Sequence, residues 1–216
     1  MSQTARSHAT TDSTKRFGSQ RWNITPFVGV GPLKLGMSMS DVAKFNDAIG
    51  EPTPEPGFGD IFSAVIAQQP SAAETFEKLG INVNAFNGVA PETRAYLKID
   101  YYGGKLGTID LFARGEFRVF LDNIDLFNTD SLLLLQQPEK KNGGAAKAGL
   151  GMVYFDKLGL TLGDYYSIEH NTFHDVNSTG QDDRDVCIDS QEAIAWGDKN
   201  KVHEGFTDIS FLTITK

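Results

Sequence analysis

Hydrophobic and polar positions alternate most regularly in three runs of the chain: residues 96–102, 106–112 and 117–122. Alternation with a period of two is typical of strands that bury one face. Gly103-Gly104 separates the first two runs and Arg114-Gly115 the last two, and both pairs are turn signals. We therefore predict a three-stranded antiparallel meander over residues 96–122.

A helical pattern begins at Ser38. Ser38 is a favoured N-cap residue, and Asp41 stands three positions later, where it can complete a capping box. Gly50 is a stop signal that follows the last apolar residue of the pattern. The residues that share the apolar face are Val42, Phe45 and Ile49. Gly29, Gly31 and Gly36 precede this helix, and because their spacing fits neither a dinucleotide fingerprint nor a P-loop, we interpret them as turn residues.

Weaker patterns predict the remaining elements. Residues 61–69 suit either a strand or a short helix, and residues 71–79 suit a helix with Ser71 as its cap. Asn128 is placed to cap a helix over 130–137 that Pro138 would end, and 139–151 is interpreted as a mobile connection. Residues 81–91 are expected to be irregular and 170–185 to be a polar loop. Short strands are predicted at 152–155, 158–162, 165–168, 186–196 and 206–215.

These elements together predict an α+β fold, a twisted antiparallel β-sheet with helices packed on one face. Residues 1–21 lack a hydrophobic pattern and are expected to be a disordered tail, so that 22–216 form a single domain. Leu33-Lys34-Leu35-Gly36 echoes Leu160-Thr161-Leu162-Gly163. Two similar halves, 22–138 and 150–216, therefore stay open as an alternative.

Charge divides the chain unequally. The 216 residues carry a formal net charge of −8, but residues 1–21 hold four basic residues against Asp12 alone, which leaves −11 for 22–216. Such a surface repels nucleic acid and anionic membranes and attracts a basic protein. With Cys187 alone, no internal disulfide can form, and no apolar run approaches the length of a membrane span. We expect a cytoplasmic protein.

Candidate chemistry is sparse. His170 and His174 are four residues apart, a spacing that binds metal when the segment is helical, but Asn171 and Thr172 do not favour a helix. No GxSxG motif surrounds a serine, and Cys187 lies between Val186 and Ile188 as a small core residue would. We therefore expect no catalytic residue, no metal and no cofactor, with a solvated loop as the interpretation of 170–174.

The opening of the folded region resembles a known group of proteins. The stretch Val30-Gly31-Pro32-Leu33-Lys34-Leu35-Gly36-Met37-Ser38, followed by Gly50-Glu51-Pro52, resembles bacterial immunity proteins of contact-dependent and secretion-system toxins. Segments 119–127 and 155–160 resemble strands and turns of the same group. The stretch is also similar to the helical start of small outer-membrane assembly lipoproteins and β-lactamase-inhibitor modules, but the chain has no lipobox cysteine. The resemblance implies a cytoplasmic, non-enzymatic α+β protein that occupies a toxin's active site.

The leading hypothesis is thus an immunity-type inhibitor that neutralises a cognate toxin, and the charge favours a basic toxin such as a nuclease. Like charges concentrated in a loop suit docking of Arg and Lys side chains. The predicted partner contacts are Glu169, Asp175, Asp182, Asp183 and Asp185. Two alternatives stay open: a metal- or small-molecule-binding enzyme that uses His170 and His174, and a structural or assembly module with no inhibitory role.

Overall fold

The fold is α+β, as the sequence predicts. The computed structural model describes residues 21–54, 56, 58–78, 89–94, 96–113, 118–174, 183–200 and 202–214. The strands are β1 (Arg21–Thr25), β2 (Gly29–Val30), β3 (Leu33–Lys34), β4 (Thr53–Pro54), β5 (Val89–Arg94), β6 (Leu97–Tyr102), β7 (Lys105–Phe112), β8 (Arg118–Leu121), β9 (Ile124–Asp125), β10 (Ala146–Gly149), β11 (Met152–Phe155), β12 (Leu160–Gly163), β13 (Tyr166–Ser167), β14 (Thr172–Phe173), β15 (Asp185–Asp189) and β16 (Thr207–Ile209).

Short helices connect the strands. They are α1 (Met39–Val42), α2 (Asn46–Ile49), α3 (Phe58–Gln68), α4 (Ala72–Lys78), α5 (Ser131–Asn142) and α6 (Gln191–Lys199). The part of the chain that the structure describes also has 3-10 turns at Ala43–Phe45, Asp156–Leu158 and Phe211–Thr213. Segment 61–69, which suited either a strand or a helix, is thus part of helix α3. The helix predicted over 71–79 is confirmed as α4 over the residues described.

The strands form two main sheets. The larger one has nine strands in the order β16-β10-β11-β12-β15-β7-β6-β5-β4, and every neighbouring pair in it is antiparallel. The smaller one has five strands in the order β3-β2-β1-β8-β9, and its β1–β8 pair is parallel. A separate ribbon pairs β13 with β14.

The two main sheets share one apolar core. Alternate residues of the larger sheet, such as Ile99 and Ile188, are fully buried in it together with Trp22 of β1 and Leu134 of α5. Burial of apolar surface on this scale is the main favourable term in folding. One face of each sheet therefore points into the core. On the opposite face of the larger sheet, helix α6 packs against β7 and β15.

The predicted capping box at Ser38 is confirmed. The Ser38 hydroxyl accepts a hydrogen bond from the Asp41 amide at 3.2 Å, and the Asp41 carboxylate accepts one from the Ser38 amide at 3.3 Å. Hydrogen bonds from Lys44 and Ser38 lower the pKa of Asp41 to about 2. The helical segment ends at Gly50 as predicted, but the Ala43–Phe45 turn divides it into α1 and α2.

The predicted meander is half right. Strands β6 and β7 form the expected hairpin, with a register shift between Asp100 and Tyr101. The predicted pairing of the third strand is wrong. Strand β8 pairs in parallel with β1 in the smaller sheet, and β15 is the second neighbour of β7. Alternation along β8 identifies its buried face, but it does not identify the neighbouring strand.

The predictions around Pro138 are wrong. Asp130, not Asn128, caps α5 by accepting from the Leu133 amide at 3.2 Å. The helix continues past Pro138 to Asn142, where Gly143 adopts a left-handed conformation. The segment 139–151, expected to be a mobile connection, therefore consists of the last helical turn and strand β10.

Two predicted strands near the end of the chain are also shorter than expected. Strand β15 stops at Asp189, and Ser190 caps α6 by accepting from the Ala193 amide at 3.1 Å. Strand β16 covers only Thr207–Ile209 before a 3-10 turn. Residues Val89–Pro91, expected to be irregular, belong to β5, and the rest of the 81–91 prediction lies outside the described residues.

Candidate functional site

Four aspartates lie together on the outer surface of the larger sheet, and we call them the acidic face: Asp100, Asp110, Asp185 and Asp189. They belong to three adjacent central strands, β6, β7 and β15. Each one alternates with a core residue of its own strand, so all four side chains leave the sheet on the side opposite the core. All four are partly exposed.

The register explains how the acidic face forms. Asp110 stands opposite Lys98 on one side and Cys187 on the other. Thr108 stands between Asp100 and Asp189 in the next outward row. Residues on neighbouring strands that are opposite or diagonal to each other on one face lie within interaction distance. Asp110 on the middle strand is diagonal to each of the other three aspartates.

Asp110 and Asp185 share a side-chain hydrogen bond. Burial and the charge of Asp185 raise the pKa of Asp110 to about 8. Burial also raises the pKa of Asp185 to about 6, although the hydrogen bond from Asp110 works in the opposite direction. The pair therefore holds one proton near neutral pH, with Asp110 as donor. The Oδ1 atom of Asp110 is buried and has no hydrogen-bond partner among the described residues.

Gly163 makes room for this pair. It stands opposite Asp185 on β12, and a Cβ atom added to Gly163 would lie 2.0 Å from Oδ1 of Asp185. The Asp185 carboxyl group thus lies directly over the backbone of the neighbouring strand. Any larger residue at position 163 would displace it.

A second polar group surrounds Asp189. The Thr108 hydroxyl donates to its Oδ1 atom at 2.7 Å, and the Cys187 thiol lies 3.8 Å from the same oxygen. Burial raises the pKa of Asp189 to about 6. Cys187 is partly exposed as a residue, but burial of its sulfur and the nearby carboxylates raise the pKa of its thiol well above the usual value. The thiol therefore stays protonated and is a poor nucleophile.

Helix α6 covers one end of the acidic face. Its residues Ala193 and Gly197 are buried, and Trp196 packs edge-on against Tyr102 with ring centroids 5.7 Å apart. Gly107 allows this arrangement, because a Cβ atom there would lie 2.3 Å from the Tyr102 ring. Asp110 and Asp185 are only partly exposed.

The predicted contact residues lie in different parts of the structure. Asp185 belongs to the acidic face, whereas Asp183 is exposed just before β15. Glu169 is exposed in the turn between β13 and β14 and makes no hydrogen bond or ion pair with another described residue. Asp175 and Asp182 lie outside the described residues. Sequence reasoning missed Asp100, Asp110 and Asp189, although their outward positions in alternating strands were a usable signal.

The two histidines do not adopt the helical spacing that the metal-site alternative requires. His170 lies in the exposed turn, and His174 follows β14 with its Nδ1 atom 3.2 Å from the Asp164 carbonyl oxygen. Among the described residues, no group of three or more His, Cys, Asp or Glu side chains is placed to hold a metal ion. The acidic face instead offers several neighbouring carboxyl groups, which suit an ammonium or guanidinium group when they ionise.

Comparisons with family models, curated proteins and solved structures found no match. Within the described part of the chain, the helices are too short or too polar for any of them to cross a membrane.

Proposed function

We propose that this protein is an immunity-type inhibitor that binds a basic bacterial toxin through the acidic face. The observation that carries the proposal is the set of four neighbouring aspartates on the central strands, three of which have a raised pKa. A raised carboxyl pKa means that the ionised form is disfavoured where it stands. A cation that docks on the face favours ionisation of these carboxyl groups. The complex then contains a charge-charge interaction that the isolated protein lacks.

The overall charge supports a basic protein as the partner. The net charge of −11 over residues 22–216 attracts cationic surfaces and accelerates their encounter with the protein. The partly buried carboxylates would then supply specific contacts, because charge-assisted hydrogen bonds are stronger where water is partly excluded.

The shape of the site favours a macromolecular partner over a small ligand. The carboxylates are spread over three adjacent strands of a nine-stranded sheet. The resemblance of the opening stretch to immunity proteins agrees with this role. In the proposed mechanism the protein acts in the cytoplasm, without catalysis, by covering the cationic active site of a toxin such as a nuclease.

The test begins with affinity capture from a lysate of the source cells at low and moderate salt, followed by mass spectrometry. The captured basic protein is then expressed in cells with and without this protein, and cell survival is scored. We expect equimolar capture at both salt concentrations and restored survival.

Matched variants locate the contact. The double variant Asp100→Asn with Asp110→Asn should weaken binding by about tenfold or more, as expected when charge pairs are removed from an interface. The control, Asp122→Asn with Asp208→Asn, makes the same two chemical replacements at exposed aspartates outside the face. Equal binding by both double variants would contradict the acidic face as the contact, and no rescue of survival would contradict the inhibitory role.

A further inference from the structure

An open groove of about 510 Å³ lies along the first strand of the smaller sheet. Its polar lining comes from β1 and the β2–β3 hairpin and consists of hydrogen-bond donors: Arg21, Asn23, Thr25 and Lys34. None of the described residues that line it is Asp or Glu. In a chain of net charge −8, a cationic groove is an exception that calls for a physical explanation.

Neither cation of the groove is neutralised within the described part of the chain. No described carboxylate lies within 4.0 Å of the charged nitrogens of Arg21 or Lys34. The nearby acidic residues have other partners, because Asp122 pairs with Lys141 at 2.9 Å and Asp125 with Arg118 at 2.9 Å. Both positive charges are thus available to an anion from solution.

The Arg21 guanidinium is held in place before any ligand arrives. It lies over the Phe120 ring at 3.9 Å from the centroid and donates to the Asp122 carbonyl oxygen at 3.0 Å. Its Nε atom donates to Oδ1 of Asn23 at 3.1 Å. A preorganised guanidinium loses less conformational entropy on binding.

Gly31 brings the hairpin that carries Lys34 close to β1. Its φ of +53° is left-handed, and an added Cβ atom would lie 2.7 Å from the Trp22 ring. Lys34 Nζ lies 3.5 Å from the Gly31 carbonyl oxygen. The second cation of the groove therefore stands on a turn that packs directly on the buried tryptophan.

We propose that this groove binds a phosphate group, either as free phosphate or as part of a small nucleotide. Two cations match the charge of a phosphate dianion, and the Thr25 hydroxyl and Asn23 amide offer further donors to its oxygens. The volume is within the range of small-molecule sites and exceeds that of phosphate alone. A long polyanion is disfavoured, since the rest of the surface is acidic and repels it. The proposal is independent of the acidic face.

Titration calorimetry with inorganic phosphate, adenosine monophosphate and succinate tests the proposal, with amide chemical shifts of Asn23, Thr25 and Lys34 to locate the binding. We expect saturable phosphate binding below about 10 mM and weaker binding of succinate. Tighter binding of the nucleotide than of phosphate would identify a nucleotide site, and equal affinities would identify a site for the phosphate group alone.

Two variants and a control make the result specific. Lys34→Gln should weaken phosphate binding about tenfold, since it removes one charged donor. Asn23→Asp keeps the acceptor that Arg21 uses and should abolish binding by repelling the anion. Lys140→Gln, at an exposed position on α5, should bind like the wild type. Absence of phosphate binding, succinate binding as tight as phosphate, or equal losses in Lys34→Gln and Lys140→Gln would overturn the proposal.

Discussion

Replacing Asp110 with asparagine should remove an unfavourable dependence of stability on pH. In the folded protein, burial and Asp185 raise the pKa of Asp110 from 3.8 to about 8. Between these pH values the native state binds a proton that the unfolded state has released, so stability falls as pH rises. Asparagine keeps the shape of the side chain, can donate its amide to the Asp185 carboxylate, and does not ionise.

The magnitude follows from the width of the pH interval. One bound proton changes the free energy of unfolding by about 1.4 kcal/mol per pH unit, so the interval from about pH 5 to about pH 8 sets a ceiling near 4 kcal/mol. Asp110 is partly exposed and shares its proton with Asp185, so we expect about half of this ceiling, ~2 kcal/mol. That is a large fraction of the stability of a typical domain, about 5 to 15 kcal/mol.

Urea unfolding at about pH 5 and about pH 8 measures the effect. The wild type should lose ~2 kcal/mol more than Asp110→Asn between the two conditions, and the variant should be the more stable protein at the higher pH. Asp208→Asn is the matched control, because Asp208 lies in the same row at the exposed edge of the sheet. Parallel pH dependences in the wild type and Asp110→Asn would refute the assignment of a shared proton to this pair.

Three further changes test the fold around the two surfaces. Gly163→Ala should destabilise the protein by about 1 to 3 kcal/mol in urea unfolding, because its Cβ would meet the Asp185 carboxyl group. The control Gly144→Ala places its Cβ in open space beside Lys157 and should be nearly neutral. Glu139→Gln should cost about 1 to 3 kcal/mol and speed hydrogen exchange of the Phe211 and Leu212 amides, which donate to Glu139 at 2.6 and 3.0 Å; unchanged exchange would contradict its role as their anchor. Ser38→Ala should lower the free energy of unfolding by about 1 kcal/mol, because the Ser38 hydroxyl caps α1. Thermal unfolding measures this loss, with Ser71→Ala at the start of α4 as the control.

Local signals in the sequence predicted the elements whose hydrogen bonds are local. The Ser38 capping box needs only two residues three positions apart, and both are present in the structure as predicted. The β6–β7 hairpin likewise depends on a two-residue glycine turn between alternating runs. Each of these features is determined within a few residues of chain.

Long-range pairing was not predictable in the same way. Strand β8 has the same alternation whether it extends the β6–β7 hairpin or pairs with β1, about a hundred residues earlier in the chain. Pro138 is a stop signal by itself, yet α5 continues past it, and Glu139 in its last turn binds the Ser210 hydroxyl and two amides of the final 3-10 turn. Tertiary contacts of this kind override local propensity.

The candidate site shows the same limit. Among the described residues that the sequence predicted as partner contacts, Asp185 alone belongs to the acidic face. Asp110 and Asp189 are far apart from each other in sequence, and they become neighbours only because β7 pairs with β15. A cluster that the sheet register creates is invisible until the order of the strands is known.

The fold places charges of opposite sign on the outer surfaces of its two sheets, and the two surfaces should respond differently to salt. The carboxyl groups of the acidic face are partly buried, so added salt screens their contacts with a partner only weakly. Arg21 and Lys34 are exposed, so phosphate binding in the groove should weaken steeply as ionic strength rises. Capture of a basic partner that survives moderate salt, while phosphate binding is lost, would follow directly from this difference in burial.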